Sequence, residues 1–379
     1  MPAKHRKQWI WQQPDWPMFR WDTSVLSNRL AETRRAQGQL TGVASLLDPS
    51  LDLSAQLEVL TIEGVATSAI EGENFDPNGL RSSLARRLGL PTAGLPPPLR
   101  ELEGLVDVLL DASREPDEPL SLDRLCRWQA ALFPAGRTGL HQVRTRAMRG
   151  DEPMRIVSGP VGRERVHFIA PPREGLDEEM RRFLDWFNQP TDGLDGLLRA
   201  GLAHAWFEVL HPFEDGNGRV GRALLERALA QDERRPARLY SLSARFMARR
   251  DEYYGALEHL SRGNLDVTAW LSWFIEQVER AVRSSEAVVG HVLAKARFWM
   301  RHAQTDLNER QRKVLNRMLD AGPGGFAGGM TNRRYASLTH SSAATAQRDL
   351  AALVALGCLA PLGGGRSVRY ELVAWPHPP

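Results

Sequence analysis

Cysteine is nearly missing from this 379-residue chain: Cys126 and Cys358 are its only two, and they lie far apart. A disulfide framework and a cysteine-built zinc cluster are both excluded, and a reducing compartment is the natural setting. Net charge is small as well, at +3, so the charge of the whole chain says little about partners. No apolar run reaches the roughly 18 residues of a membrane helix. The basic opening Met1–Ile10 lacks the apolar stretch of a secretory signal. A cytoplasmic protein with no membrane partner is expected. The length allows two or three domains. Hydrophobic residues at 42% and charged residues at 25% describe an ordinary globular chain.

What is present is concentrated in one stretch, His211-Pro-Phe-Glu-Asp-Gly-Asn-Gly-Arg-Val-Gly-Arg222. It lies between two helix-periodic segments, 197–210 and 220–230. Pro212 disfavours helical backbone at His211, so the first helix ends there. Gly216 and Gly218 permit left-handed backbone and close ligand approach. The amides around Asn217, followed by a helix N-terminus, make an anion nest. Arg219 and Arg222 stand three apart at the start of that helix, two guanidinium forks suited to a polyphosphate. Asp215 sits beside the nest as a magnesium ligand shared with phosphates would. His211, at the loop mouth, is placed to take a proton from an attacking hydroxyl. Each feature alone has a bland reading, as a cap, a tight turn or a solvated face. Their conjunction points to bound phosphate.

At these residues the chain resembles the Fic family, whose signature His-x-Phe-x-Asp/Glu-Gly-Asn-Gly-Arg-x-x-Arg it matches position for position. The resemblance implies a mainly α fold: a Fic helical bundle with a small β-hairpin flap. It implies a protein that moves AMP from ATP onto a Ser, Thr or Tyr hydroxyl of a target protein and onto itself. His211 would be the general base, Phe213 a core anchor and Asp215 the ligand of Mg2+ or Mn2+. Gly216, Asn217 and Gly218 would hold the α- and β-phosphates, and Arg219 and Arg222 the outer phosphates.

Upstream, residues 9–22 carry four of the eleven tryptophans, with Pro14 and Pro17 against a helix. This reads as an extended arm pinned to the body. A helical region follows to about residue 90, with 48–54 as a loop ending in a helix cap. Thr67 and Glu71 share a helix face, and Gly72 fits a C-terminal cap. Thr67-x-x-x-Glu71-Gly72 resembles the family's inhibitory motif. That resemblance implies a helix in the same chain whose glutamate pairs with Arg222 and keeps ATP from a reactive pose. Residues 154–158 and 165–169, around a Gly/Pro break, read as a hairpin. Its Ile156, Val157, Val166, His167 and Phe168 are the expected docking residues of the flap, which would take a target segment by strand addition.

Domains are expected at 1–100 (arm and inhibitory region), 101–283 (catalytic core), 284–304 (helical linker) and 305–379 (winged helix-turn-helix). From Asn308 onward there are nine Lys/Arg (310, 312, 313, 317, 333, 334, 348, 366, 369) against four Asp/Glu (309, 320, 349, 371), about +5 for the tail and −2 for the rest. Arg348 and Arg366 are the candidate DNA contacts of the wing module, whose partner is open between DNA and protein. The expected oligomer is a homodimer. Two further functions compete with AMP transfer: removal of AMP by the same site, and a DNA-binding regulator whose core senses nucleotide.

Overall fold

The computed structural model describes residues 9–45, 49–92, 95–139, 141–159, 163–190, 193–235, 238–321, 326, 328–364 and 368–373. The tryptophan arm opens with a 3-10 turn, Ile10–Gln12. It is pinned as expected. Trp9 meets Phe168 edge-on, the Trp11 indole N–H donates to the Ile169 carbonyl, and that of Trp16 to Glu179.

Helix α1 (Thr23–Ala44) starts where the Asp22 carboxylate accepts the Ser24 N–H. Helix α2 (Pro49–Ile70) begins earlier than expected, with no loop through 49–54; a proline at the first helical position is already set for the turn. Helix α3 (Pro77–Arg87) is capped by Asp76. Then come α4 (Glu103–Ser113) and α5 (Leu122–Leu132), the latter capped by Ser121. A minimal strand pair, β1 (Arg137–Thr138) and β2 (His141–Gln142), is followed by irregular chain over 143–149. The expected hairpin is β3 (Arg155–Ser158) paired antiparallel with β4 (Arg165–Ile169).

Helices α6 (Leu176–Asn188), α7 (Gly196–Leu210) and α8 (Asn217–Glu233) follow, then α9 (Leu242–Ala248) and α10 (Arg250–Arg262). Helix α7 is buried on nearly every side and forms the axis of the main core. A helix apolar all round has no solvent face to give up. Helix α11 runs unbroken over Thr268–Arg301, about 50 Å long. The expected boundary at 283/284 therefore falls inside a helix. Its apolar stripe, Val278, Ala281, Val282, Val289 and Val292, stays buried across that point, so nothing ends the helix there.

The tail has its own core, from Phe298 and Val314 to Leu372. It is built from α12 (Glu309–Leu319), α13 (Asn332–Thr339), α14 (Ala343–Ala355) and the hairpin of β5 (Leu359–Leu362) with β6 (Arg369–Leu372). Ion pairs fasten it to the helical region that precedes the core. Arg81 on α3 donates two hydrogen bonds to Glu58 on α2, at 2.5 and 2.6 Å, and reaches Asp320 after α12 at 3.4 Å. Lys295 on α11 also donates to Asp320, at 2.5 Å. The Arg81 side chain is only 9% exposed. Glu58→Ala leaves that guanidinium without its main partner and should cost about 3 kcal/mol of stability, seen as a lower denaturation midpoint, whereas the exposed Glu178→Ala should shift it little.

Candidate active site

The signature stretch is the loop between α7 and α8, as expected. His211 caps α7 in left-handed backbone, at φ 47° and ψ 59°. For a residue with a side chain this costs about 1–2 kcal/mol, so its surroundings must enforce it. Pro212 forbids the helical alternative. Buried Arg149 clamps the turn: its Nε donates to the His211 carbonyl at 2.9 Å and its backbone N–H to the Pro212 carbonyl at 2.8 Å. Phe213 is fully buried, as the anchor reading required. The Asn217 side chain closes the loop on itself, accepting from the Phe213 N–H at 2.9 Å and donating to the Phe213 carbonyl at 2.7 Å. Its amide is thus spent on shaping the loop, and what it offers an anion is its backbone N–H. Gly216 is the N-cap of α8, so the amides of Asn217, Gly218 and Arg219 form the first turn and lack intrahelical acceptors.

Burial lowers the His211 pKa to about 4, with the Arg149 charge adding to it and the Glu208 carbonyl opposing. The imidazole is therefore neutral near pH 7, the form a base needs. Its Nδ1 lies 3.3 Å from the Glu208 carbonyl oxygen, which assigns the proton to Nδ1 and leaves Nε2 as acceptor. Asp215 accepts from the Thr138 hydroxyl at 2.8 Å and from the Gly216 N–H at 2.6 Å.

Both arginines are occupied. Arg222 is 2% exposed. Its Nε donates to Thr67 Oγ1 at 2.7 Å, and one Nη donates to the Thr67 carbonyl at 2.9 Å and to Glu71 at 2.8 Å. A Cβ on Gly218 would stand 2.3 Å from Glu71 Oε1, so only glycine lets that carboxylate settle against the start of α8. Gly72, at φ 84°, turns the chain just past α2 and presents the acid. Burial alone would raise the Glu71 carboxyl, but the Arg222 guanidinium overrides it and holds the pKa below the usual range.

Arg219 pairs with Glu73 at 2.8 Å, a contact the sequence reading missed. Two acids spaced like Glu71 and Glu73 around a turn glycine were the available signal. Tyr253 and His204 hydrogen-bond each other at 2.8 Å in the core, so His204 is a packing residue of α7. Tyr254 is 40% exposed and borders the cleft. That cleft, about 870 Å³, runs from the nest to the flap and is also lined by His211, Asp215, Ile156 and Val157. Ile156 and Val157 are exposed, whereas Phe168 is buried against Trp9 and supports the flap from beneath. Arg348 is exposed on α14, and Arg366 lies outside the described residues.

Glu208 was also missed. It sits one turn before His211, with Oε1 buried and unpartnered and Oε2 4.0 Å from His211 Nδ1. Burial, with Glu71 adding and Arg222 opposing, raises its pKa from 4.5 to about 7. A folded pKa above the unfolded one means the group costs nothing below pH 4.5, and that stability is lost as pH rises through about 7. Glu208→Gln should therefore raise the melting temperature at pH 8 and change it little at pH 4.5, by up to about 3 kcal/mol for a shift of this size.

Comparison with known proteins agrees with this geometry. Residues 119–229 match the Fic/DOC family, and residues 9–90 match a domain of unknown function, DUF4172. The chain is 34% identical over 106 residues to a probable protein adenylyltransferase of Aquifex aeolicus, covering 28% of this chain and 30% of that protein. It is 34% identical over 98 residues to the protein adenylyltransferase fic-1 of Caenorhabditis briggsae, covering 26% and 18%. The chain thus spans less than a third of the length of these curated relatives. The crystal structure of a Fic family protein from Desulfovibrio desulfuricans G20 superposes with a TM-score of 0.53, covering 93% of this chain and 97% of that one. At 19% identity that likeness is one of fold. The signature loop, the helices that carry it and these matches together identify residues 119–229 as a Fic/DOC domain.

Proposed function

We propose that this chain is a protein adenylyltransferase that moves AMP from ATP to a hydroxyl of a target protein and is held off by its own α2. The observation that carries the reading is a neutral, buried histidine beside a helix N-terminus whose two arginines are both occupied by acids. With Glu71 displaced, the amides of Asn217, Gly218 and Arg219 cradle the inner phosphates. Arg222 and Arg219 take the outer ones and neutralise the pyrophosphate as it leaves. His211 Nε2 accepts the proton of the incoming hydroxyl, and the oxygen closes on the α-phosphorus opposite the leaving group.

Asp215 fits a magnesium ion: a single carboxylate at the nest, completed by phosphate oxygens and water, is the sort of site this ion takes. When bound, it would neutralise phosphate charge. The outer strand β3, with Ile156 and Val157 exposed, is the edge on which a target segment adds.

The tail, three helices and a hairpin, is read as a winged helix that places exposed Arg348 toward DNA phosphate. The resting contact of Glu71 with Arg222 keeps the γ-phosphate from its site, so ATP lies out of line for attack.

Incubated with α-labelled ATP, magnesium and a cell lysate, Glu71→Gly protein should label lysate proteins at least about tenfold more than the unchanged chain. Adding His211→Ala should lower that transfer about 100-fold or more. Equal labelling by all three would overturn the reading. For the tail, Arg348→Ala should weaken duplex binding and reduce the salt slope by about one; no binding of the unchanged chain at low salt would remove DNA as its partner.

A further inference from the structure

The mechanism above leaves one hydrogen-bonded run in the same cleft unused. Ser158 at the end of β3, His167 on β4 and Glu258 on α10 all line it. Ser158 Oγ is 2.6 Å from His167 Nε2, and His167 Nδ1 is 2.9 Å from Glu258 Oε2. The strand pairing explains how they meet. Ile156 pairs with Phe168, and the next residue, Val157, pairs with Val166, so His167 is the extra residue of a β-bulge. A bulge re-aims a side chain that regular pleating would send elsewhere. The His167 hydrogen bond, against a smaller effect of burial, holds the Glu258 carboxyl below its usual range. An ionised Glu258 accepts from Nδ1–H, which leaves the Nε2 lone pair facing the Ser158 hydroxyl. Nucleophile, base and orienting carboxylate are in the order that activates a serine. Ser158 is exposed, so its oxygen is open to the cleft.

We infer that Ser158 is an acceptor in its own right, activated by His167 and Glu258 to take AMP from the nucleotide held in the shared cleft. The inference rests on the cleft being the nucleotide site proposed above. In the step, Ser158 Oγ forms a bond to the α-phosphorus while the bond from that phosphorus to the bridging oxygen breaks. Pyrophosphate leaves with the bond electrons, and the serine proton passes to His167 Nε2. The product is a phosphodiester on the strand that would dock a target, so the mark places a bulky anion on the docking edge.

Two measurements on the full chain test this. Without nucleotide, a fluorophosphonate probe should label Ser158, and His167→Gln, which still bridges Ser158 and Glu258 but is no base, should lose the label. No label at Ser158, or an equal label in His167→Gln, overturns the activation. With ATP and magnesium, peptide mass spectrometry of Glu71→Gly protein should find AMP on Ser158. His167→Gln should slow its appearance about 100-fold, and His211→Ala should leave it in place. AMP found only on other residues, or a Ser158 mark that needs His211 and not His167, overturns this inference and leaves the adenylyltransferase reading intact. No pyrophosphate release from any variant overturns both.

Discussion

A guanidinium buried in the first turns of α8 needs an anion beside it. Arg222 has almost no access to water, and Thr67 and Glu71 supply its acceptors. Removing one partner of such a pair costs about 3–5 kcal/mol, because the remaining charge stays buried. Whatever displaces Glu71 must therefore bring negative charge of its own. The amides at the start of α8 impose the same demand. Under the proposed function, acid side chain and nucleotide tail would be alternative occupants of one anion site. The glycine at 218 and the position of the end of α2 both go with that site being filled by Glu71.

Helix α2 connects this site to the rest of the molecule. Its end carries Glu71 against Arg222, and its middle carries Glu58 against Arg81, which also meets Asp320 just past α12 in the tail. With Arg235 paired to Asp52 in its first turn as well, arginines grip the helix near its start, middle and end. The tryptophan arm performs a comparable task for the flap. Trp9 and Trp11 hold β4 from outside, Arg262 lies over the Trp9 ring, and β3 is left to face the cleft.

Several readings were legible because their physics is local. The turn at His211 follows from the proline after it, the free amides at the start of α8 from the glycine at 216 that caps it, and the cap at Gly72 from the end of an apolar run. The hairpin at 155–169 was legible from two short β-rich runs around a break. The unbroken helix α11 was not, because the expected boundary rested on a change of module and no breaker lies at 283. The early start of α2 was missed because Asp48 and Ser54 look like caps, while Pro49 opens the helix by itself.

The sequence by itself determined which groups the loop brings together: an imidazole after a helix, backbone amides at the start of the next helix, and two guanidinium groups beside them. All of that lies within twelve consecutive positions, where backbone geometry fixes who neighbours whom. Only the tertiary structure decided what those groups meet. Glu73 reaches Arg219 across 146 positions, and Glu258 reaches His167 across 91. Glu208 lies close in sequence, yet its raised pKa comes from burial against Gly221 of α8 and from the Glu71 charge. Pairings of this kind depend on how helices pack, and spacing along the chain names at most one of the two partners.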